Sequence, residues 1–115
     1  DEVKRLQSWA NQLTSHIPGT TVQATLMLDR PPMPRNALME QTYHKAREIA
    51  AGIGLNLTEG STGGGSDANF VSHLGVPVLD GLGGVGDGAH SENEYVLKDS
   101  LAERAALLAA LLTGW

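Results

Sequence analysis

Apolar residues recur at helical spacing through the first segment, DEVKRLQSWANQLTSH. Val3, Leu6, Trp9, Ala10 and Leu13 fall at i, i+3 and i+4, which predicts an amphipathic helix. Asp1 and Glu2 stand at its start, where the helix dipole favours acids. The IPGT stretch that follows is a breaker. The period then changes to two. In TVQATLMLD, Val22, Ala24, Leu26 and Leu28 share one face, and Thr21, Gln23, Thr25 and Met27 share the other. This predicts a half-buried strand ending at Pro31 and Pro32. Pro31, Pro32 and Pro34 make a stiff connector and mark the clearest boundary in the chain.

Beyond the prolines the helical period returns. Asn36 is placed to cap a long helix, with Leu38, Tyr43, Ala46, Ile49, Ala50 and Ile53 on one side and Gly52 or Gly54 closing it. LNLTEG is a short strand candidate. STGGGSDANFVSHLG opens as a glycine loop; Ser66 or Asp67 then caps a short helix running to about His73 and ended by Gly75. VPVLD reads as a strand of the apolar kind buried in parallel sheets. A second glycine loop follows. The chain closes with a helix capped by Asp99 or Ser100, its stripe formed by Leu101, Ala105, Leu108 and Leu112. The order α-β, proline hinge, α-β-α-β-α predicts an α/β chain. The second part has too few strands for a doubly wound sheet, and the first cannot bury its apolar faces alone.

Composition narrows the partners. Aromatic residues are scarce, two Trp, two Tyr and one Phe, so the core must be aliphatic. The net charge is -5 and the eight Lys and Arg residues are scattered, which argues against a nucleic-acid partner. No apolar run approaches the roughly 20 residues of a membrane span. There is no cysteine, hence no disulfide, thiolate ligand or cysteine nucleophile. No signal peptide opens the chain, and cytoplasmic localisation is expected. A start at Asp1 rather than Met predicts a processed, trimmed or partial product.

The chemistry concentrates in two glycine loops. Gly81, Gly83 and Gly86 spell G-x-G-x-x-G, the dinucleotide fingerprint. That motif needs a helix to open at its last glycine, whereas DGAHSENEY follows here and is turn-like. The same loop delivers His90 among Asp87, Glu92 and Glu94, and a carboxylate near a ligating imidazole tunes it as a metal ligand. The loop leaves the C-terminal end of a predicted strand, where open α/β sheets bind ligands. STGGGSDAN permits a run of backbone N–H groups at a helix N-terminus, a cradle for an anion or carboxylate. A catalytic zinc needs three or more protein ligands. His16, His44 and His73 read as surface or packing residues, so companions for His90 are missing from these residues.

GGGSDAN, followed by PVLDGLG…GAHSENEYV and a Leu/Ala-rich terminal helix, resembles the C-terminal end of the zinc-dependent exopeptidase and deacylase family. Glutamate carboxypeptidase, acetylornithine deacetylase, succinyl-diaminopimelate desuccinylase and aminoacylase belong to it. The resemblance implies a mixed-sheet α/β catalytic domain with two zinc ions, interrupted by a ferredoxin-like lid or dimerisation domain. Residues 1–30 would then be the last helix and strand of the lid, and residues 31–115 the C-terminal segment of the catalytic domain. His90 resembles the family's final zinc ligand, and Glu94 the acid that supports it. Gly64, Gly65, Ser66 and Asp67 match the substrate loop, with Asn69 beside them; Arg30 resembles an arginine that meets a substrate carboxylate.

The remaining ligands and the general-base glutamate are expected upstream. The isolated chain is therefore expected to be an inactive C-terminal fragment of a metal-dependent amide hydrolase acting on a small amino-acid-derived or peptide substrate. A homodimer through the lid is a further implication. The competing expectation is a non-enzymatic interaction module without metal.

Overall fold

The computed structural model describes residues 2–115, so the placing of Asp1 at the first helix start lies outside the described residues. The chain divides into two compact units, Asp1–Pro31 and Pro32–Trp115.

In the first unit, α1 spans Glu2–Asn11, shorter than the apolar period predicts. The Arg5 guanidinium grips the Glu2 carboxylate one turn away (Nε to Oε2, 2.8 Å). This holds the Glu2 carboxyl below its ordinary range and raises Arg5. The apolar stripe of α1 is not buried, with Val3 and Trp9 both exposed. The alternating segment 21–29 forms no strand. Alternation supplies the right faces, but a strand exists only through a neighbour that takes its main-chain hydrogen bonds, and the sheet of the described residues lies elsewhere.

The second unit is organised by two helices. In α2, Ala37–Gly52, the Asn36 side chain accepts the Met39 N–H at 3.0 Å, as a capping residue should. The helix ends through Gly54 at φ 78°. Leu55 N–H reaches Ala50 O and Gly54 N–H reaches Ala51 O, the paired bonds of a Schellman motif. The buried positions of α2 are Met39, Thr42, Ala46 and Ala50; the predicted face missed the first two. Thr42 is tolerated there because its hydroxyl donates to Leu38 O at 2.7 Å.

Helix α4, Lys98–Gly114, packs on α2. Ala46 and Ala50 let it approach closely, and Leu107 and Leu111 fill the contact, with Ile49, Leu55, Leu57, Leu79 and Leu82 around them. The predicted stripe on α4 was one residue out of phase. Leu107 and Leu111 are buried, while Leu101, Leu108 and Leu112 are exposed. Leu108 and Leu112 border an open groove of about 450 Å³ with Leu79, Leu82 and Trp115. In a helix so rich in Leu and Ala, several phases fit the pattern, and only the small face of α2 selects one.

The expected α/β architecture is met in its helices and corrected in its strands. LNLTEG and VPVLD form no strands, and the expected mixed sheet is absent among the described residues. Leu55, Leu57 and Leu79 instead rest their side chains on the helix pair. Between these segments, α3, Ala68–Val71, continues as a 3₁₀ turn over Ser72–Leu74 and stops at Gly75, φ 74°. The only sheet among the described residues is an antiparallel pair, β1 Gly86–Asp87 and β2 Tyr95–Val96, with Gly86 opposite Val96 and Asp87 opposite Tyr95. No helix of the described residues is long and apolar enough to cross a membrane.

Candidate functional site

The hairpin formed by β1 and β2 presents His90. Its loop is tied by Ser91, whose N–H and hydroxyl both donate to Gly88 O, at 3.0 and 2.7 Å. The same hydroxyl accepts the Asn93 N–H at 3.2 Å. Glu94 N–H closes on Ser91 O at 3.1 Å. The Glu94 carboxylate turns back to accept the His90 main-chain N–H at 3.2 Å. Glu94 thus supports the backbone of His90.

Among the described residues, His90 is the one non-glycine with positive φ, 65°. That conformation crowds a Cβ and is strained for a side chain, although His tolerates it better than most. Such strain persists only where surrounding bonds impose it, and it gathers at functional positions. The His90 side chain is exposed, and its ring makes no hydrogen bond or ion pair with a described residue. His44 and His73 differ. The His44 ring lies tilted against Tyr43, and its Nε2 is 3.9 Å from Glu40; His73 Nε2 lies 2.9 Å from Pro32 O.

The G-x-G-x-x-G resemblance is explained by the hairpin. A Cβ on Gly86 would run into the Tyr95 carbonyl across the pair. The third glycine is therefore required for strand pairing, and what opens there is β1 rather than the helix of the fingerprint.

The other glycine loop is built differently. Ser66 Oγ accepts the Ala68 N–H at 3.0 Å, and Asn69 Oδ1 reaches back to accept the Ser66 N–H at 2.8 Å. This reciprocal arrangement fixes the entry to α3, in the manner of a capping box. It gives Ser66 and Asn69, both half-buried, a local structural task. Asp67 stands at the N-cap without a side-chain cap bond. Gly64 N–H points to Thr62 Oγ1 at 3.3 Å, and Gly63, Gly64 and Gly65 are exposed.

The stem of this loop is held by Arg35. Its guanidinium forks onto both Glu59 oxygens, Nε to Oε2 at 3.0 Å and Nη2 to Oε1 at 2.8 Å, with Glu40 at 3.4 Å. The pair lowers the Glu59 carboxyl and raises Arg35. The sequence reading missed this clasp, since its partners lie far apart in the chain. Arg30 belongs to the first unit, with Nε 3.5 Å from Asp29 Oδ2.

The principal packing pairs are α2 with α4, α3 with its 3₁₀ turn, and β1 with β2. None of these joins the glycine loop to the hairpin. Zinc requires three or four protein donors in a tetrahedral set, and no group of three His, Asp or Glu residues capable of holding a metal occurs among the described residues. The residues present therefore do not compose a zinc site by themselves. The His90 imidazole stands on an exposed loop without a hydrogen-bond or ion-pair partner among the described residues.

The family model described as peptidase family M20/M25/M40 matches residues 9–114. Searches of curated proteins and of solved structures found no match. The match runs through α2, both glycine loops, the hairpin and α4, and on that ground the chain belongs to the M20/M25/M40 peptidase family, whose members are zinc metallohydrolases.

Proposed function

We propose that this chain contributes one metal ligand, His90, and one substrate-positioning loop, Ser61–Asn69, to a metal-dependent hydrolase of amide bonds. The observation that carries the reading is the state of His90: exposed, unpartnered at the ring, and held in a left-handed backbone conformation by a dedicated set of loop bonds. A structural histidine at a surface turn needs none of that. A ligand does, because its ring must be offered at a fixed place.

The remaining donors and the general base come from outside these 115 residues. When bound, a divalent metal supplies Lewis acidity and an activated water. The chain's own residues act around it. His90 holds its ring toward the metal, and Glu94 keeps the His90 backbone in register. The main chain of Gly63–Gly65 is exposed, with Gly64 N–H resting on Thr62 Oγ1, and is the part of the loop that would meet a substrate carboxylate next to the scissile bond. The substrate class that fits is an N-acyl-amino acid or a short peptide with a free carboxylate.

The experiment is a zinc titration of the protein with the remaining ligands present. His90→Ala is expected to remove one bound zinc per chain and to abolish amide hydrolysis. Unchanged zinc content and activity in that variant would refute the assignment.

A further inference from the structure

The hairpin that carries His90 pairs only two residues per strand, and a ribbon that short does not hold an orientation by itself. The side chain of Ser100 ties it down. Its hydroxyl donates to Leu97 O at 2.6 Å and accepts the Val85 N–H at 2.9 Å. Leu97 N–H donates to Val85 O at 2.7 Å. Val85 precedes β1 and Leu97 follows β2, so these three bonds close a ring at the foot of the hairpin. The third member of that ring stands in the first turn of α4.

Two further observations support this foot as a built joint. Ser100 is 6% exposed, so its hydroxyl makes these bonds out of reach of bulk water. Gly84, just before Val85, is packed so closely that a Cβ there would lie 2.6 Å from Val96 Cγ2 and 3.0 Å from Leu101 Cδ2. From Ser100, α4 runs on to Leu107 and Leu111 in the core. A continuous path of covalent chain and hydrogen bonds therefore leads from the α2–α4 core to the loop of His90.

We infer that Ser100 is a positioning residue for His90: its hydroxyl fixes the hairpin on α4 and so sets where the imidazole is offered. The consequence for metal binding rests on the proposed role of His90, whereas the mechanical part does not. A ligand must be held to within about 0.5 Å of its working place, so a loosened foot weakens the site without removing any donor.

The test uses Ser100→Ala, which removes the hydroxyl without adding volume, and Ser100→Thr, which restores it. In the metal-free chain, amide exchange by NMR is expected to accelerate at least tenfold at Val85, Ser91 and Glu94 in Ser100→Ala. The amides of Ala46, Ala50 and Leu107 keep their wild-type rates, and Ser100→Thr returns the hairpin toward wild type. Unchanged hairpin exchange, equal acceleration of the core, or failure of Ser100→Thr to restore protection would each overturn the inference.

With the remaining ligands present, Ser100→Ala is expected to bind zinc about tenfold more weakly, the range seen when a ligand loses its support. If His90→Ala weakens zinc and Ser100→Ala does not, the positioning inference fails and the ligand assignment stands. If His90→Ala has no effect, the ligand assignment fails, and the exchange rates still decide whether Ser100 holds the hairpin.

Discussion

Replacing His90 with glycine separates a residue kept for folding from one kept for chemistry. Its φ of 65° places it where an L side chain is disfavoured by about 1–2 kcal/mol. Glycine removes that strain but gives back about 0.5–1 kcal/mol of unfolded-chain entropy. The exposed ring has no hydrogen bond or ion pair with a described residue to lose, and the bond from its N–H to Glu94 is made by the main chain. His90→Gly is therefore expected to stabilise the metal-free chain by between zero and about 1.5 kcal/mol. His90→Ala retains the strained backbone and should stay within about 0.5 kcal/mol of wild type.

Urea unfolding followed by Trp115 fluorescence, in a Trp9→Phe background, reports on the second unit. The denaturant slope should be unchanged, so that a shifted midpoint reads as stability. A loss of more than about 1 kcal/mol in His90→Gly would show that the ring supports the fold, and would remove the main ground for reading it as a ligand. The expected pattern, a gain in stability with a loss of function, is the trade seen where a site is strained for its task.

Leu107, 1% exposed between α2 and α4, should cost about 2–5 kcal/mol when cut to alanine, read as a lowered urea midpoint; a smaller loss would mean that the helix pair is not the core. Gly86→Ala should destabilise the hairpin by about 1–3 kcal/mol through overpacking, visible as lost amide protection at Leu97. Gly63→Ala meets open space without a positive φ, so it should be neutral or stabilise by up to about 1 kcal/mol. Any loss of substrate affinity in that variant, measured as a raised KM with the remaining ligands present, would then belong to the loop's approach to a ligand. For Glu59, the folded carboxyl lies below its ordinary 4.5 because Arg35 grips it. Its contribution is therefore present above pH 4.5 and lost as pH falls through the lower folded value. Wild type and Glu59→Gln should differ most near neutral pH and converge in acid, and added salt should narrow the gap; a gap that widens in acid would contradict the pairing.

Local signals carried much of this structure. Asn36 ahead of ALME announced the cap it makes, and Gly52 or Gly54 announced the stop that Gly54 makes, because both effects are complete within a few residues. The helical period located α2 and α4 and placed Ala46 and Ala50 on the buried face of α2, but it missed the phase of α4. Leu101, Leu108 and Leu112 formed as good a stripe as the one that Leu107 and Leu111 bury, and the choice between them is made by Ala46 and Ala50 on the facing helix. The strands failed for a related reason. TVQATLMLD, LNLTEG and VPVLD have the right composition, yet pairing depends on partners that pattern alone does not supply.

At the candidate site, sequence determined the cast, His90 beside Glu94 and the glycine run before Ser66, whereas the cap expected for α4 at Asp99 or Ser100 falls at Leu97 without a side-chain cap bond. The cast is a matter of residue chemistry and short spacing. Tertiary structure alone decided that Gly86 serves a strand pair, that Arg35 reaches Glu59, and that Ser100 joins the hairpin to α4. Each of those depends on atoms brought together across many residues of chain, where a single sequence holds the partners but not the distance between them.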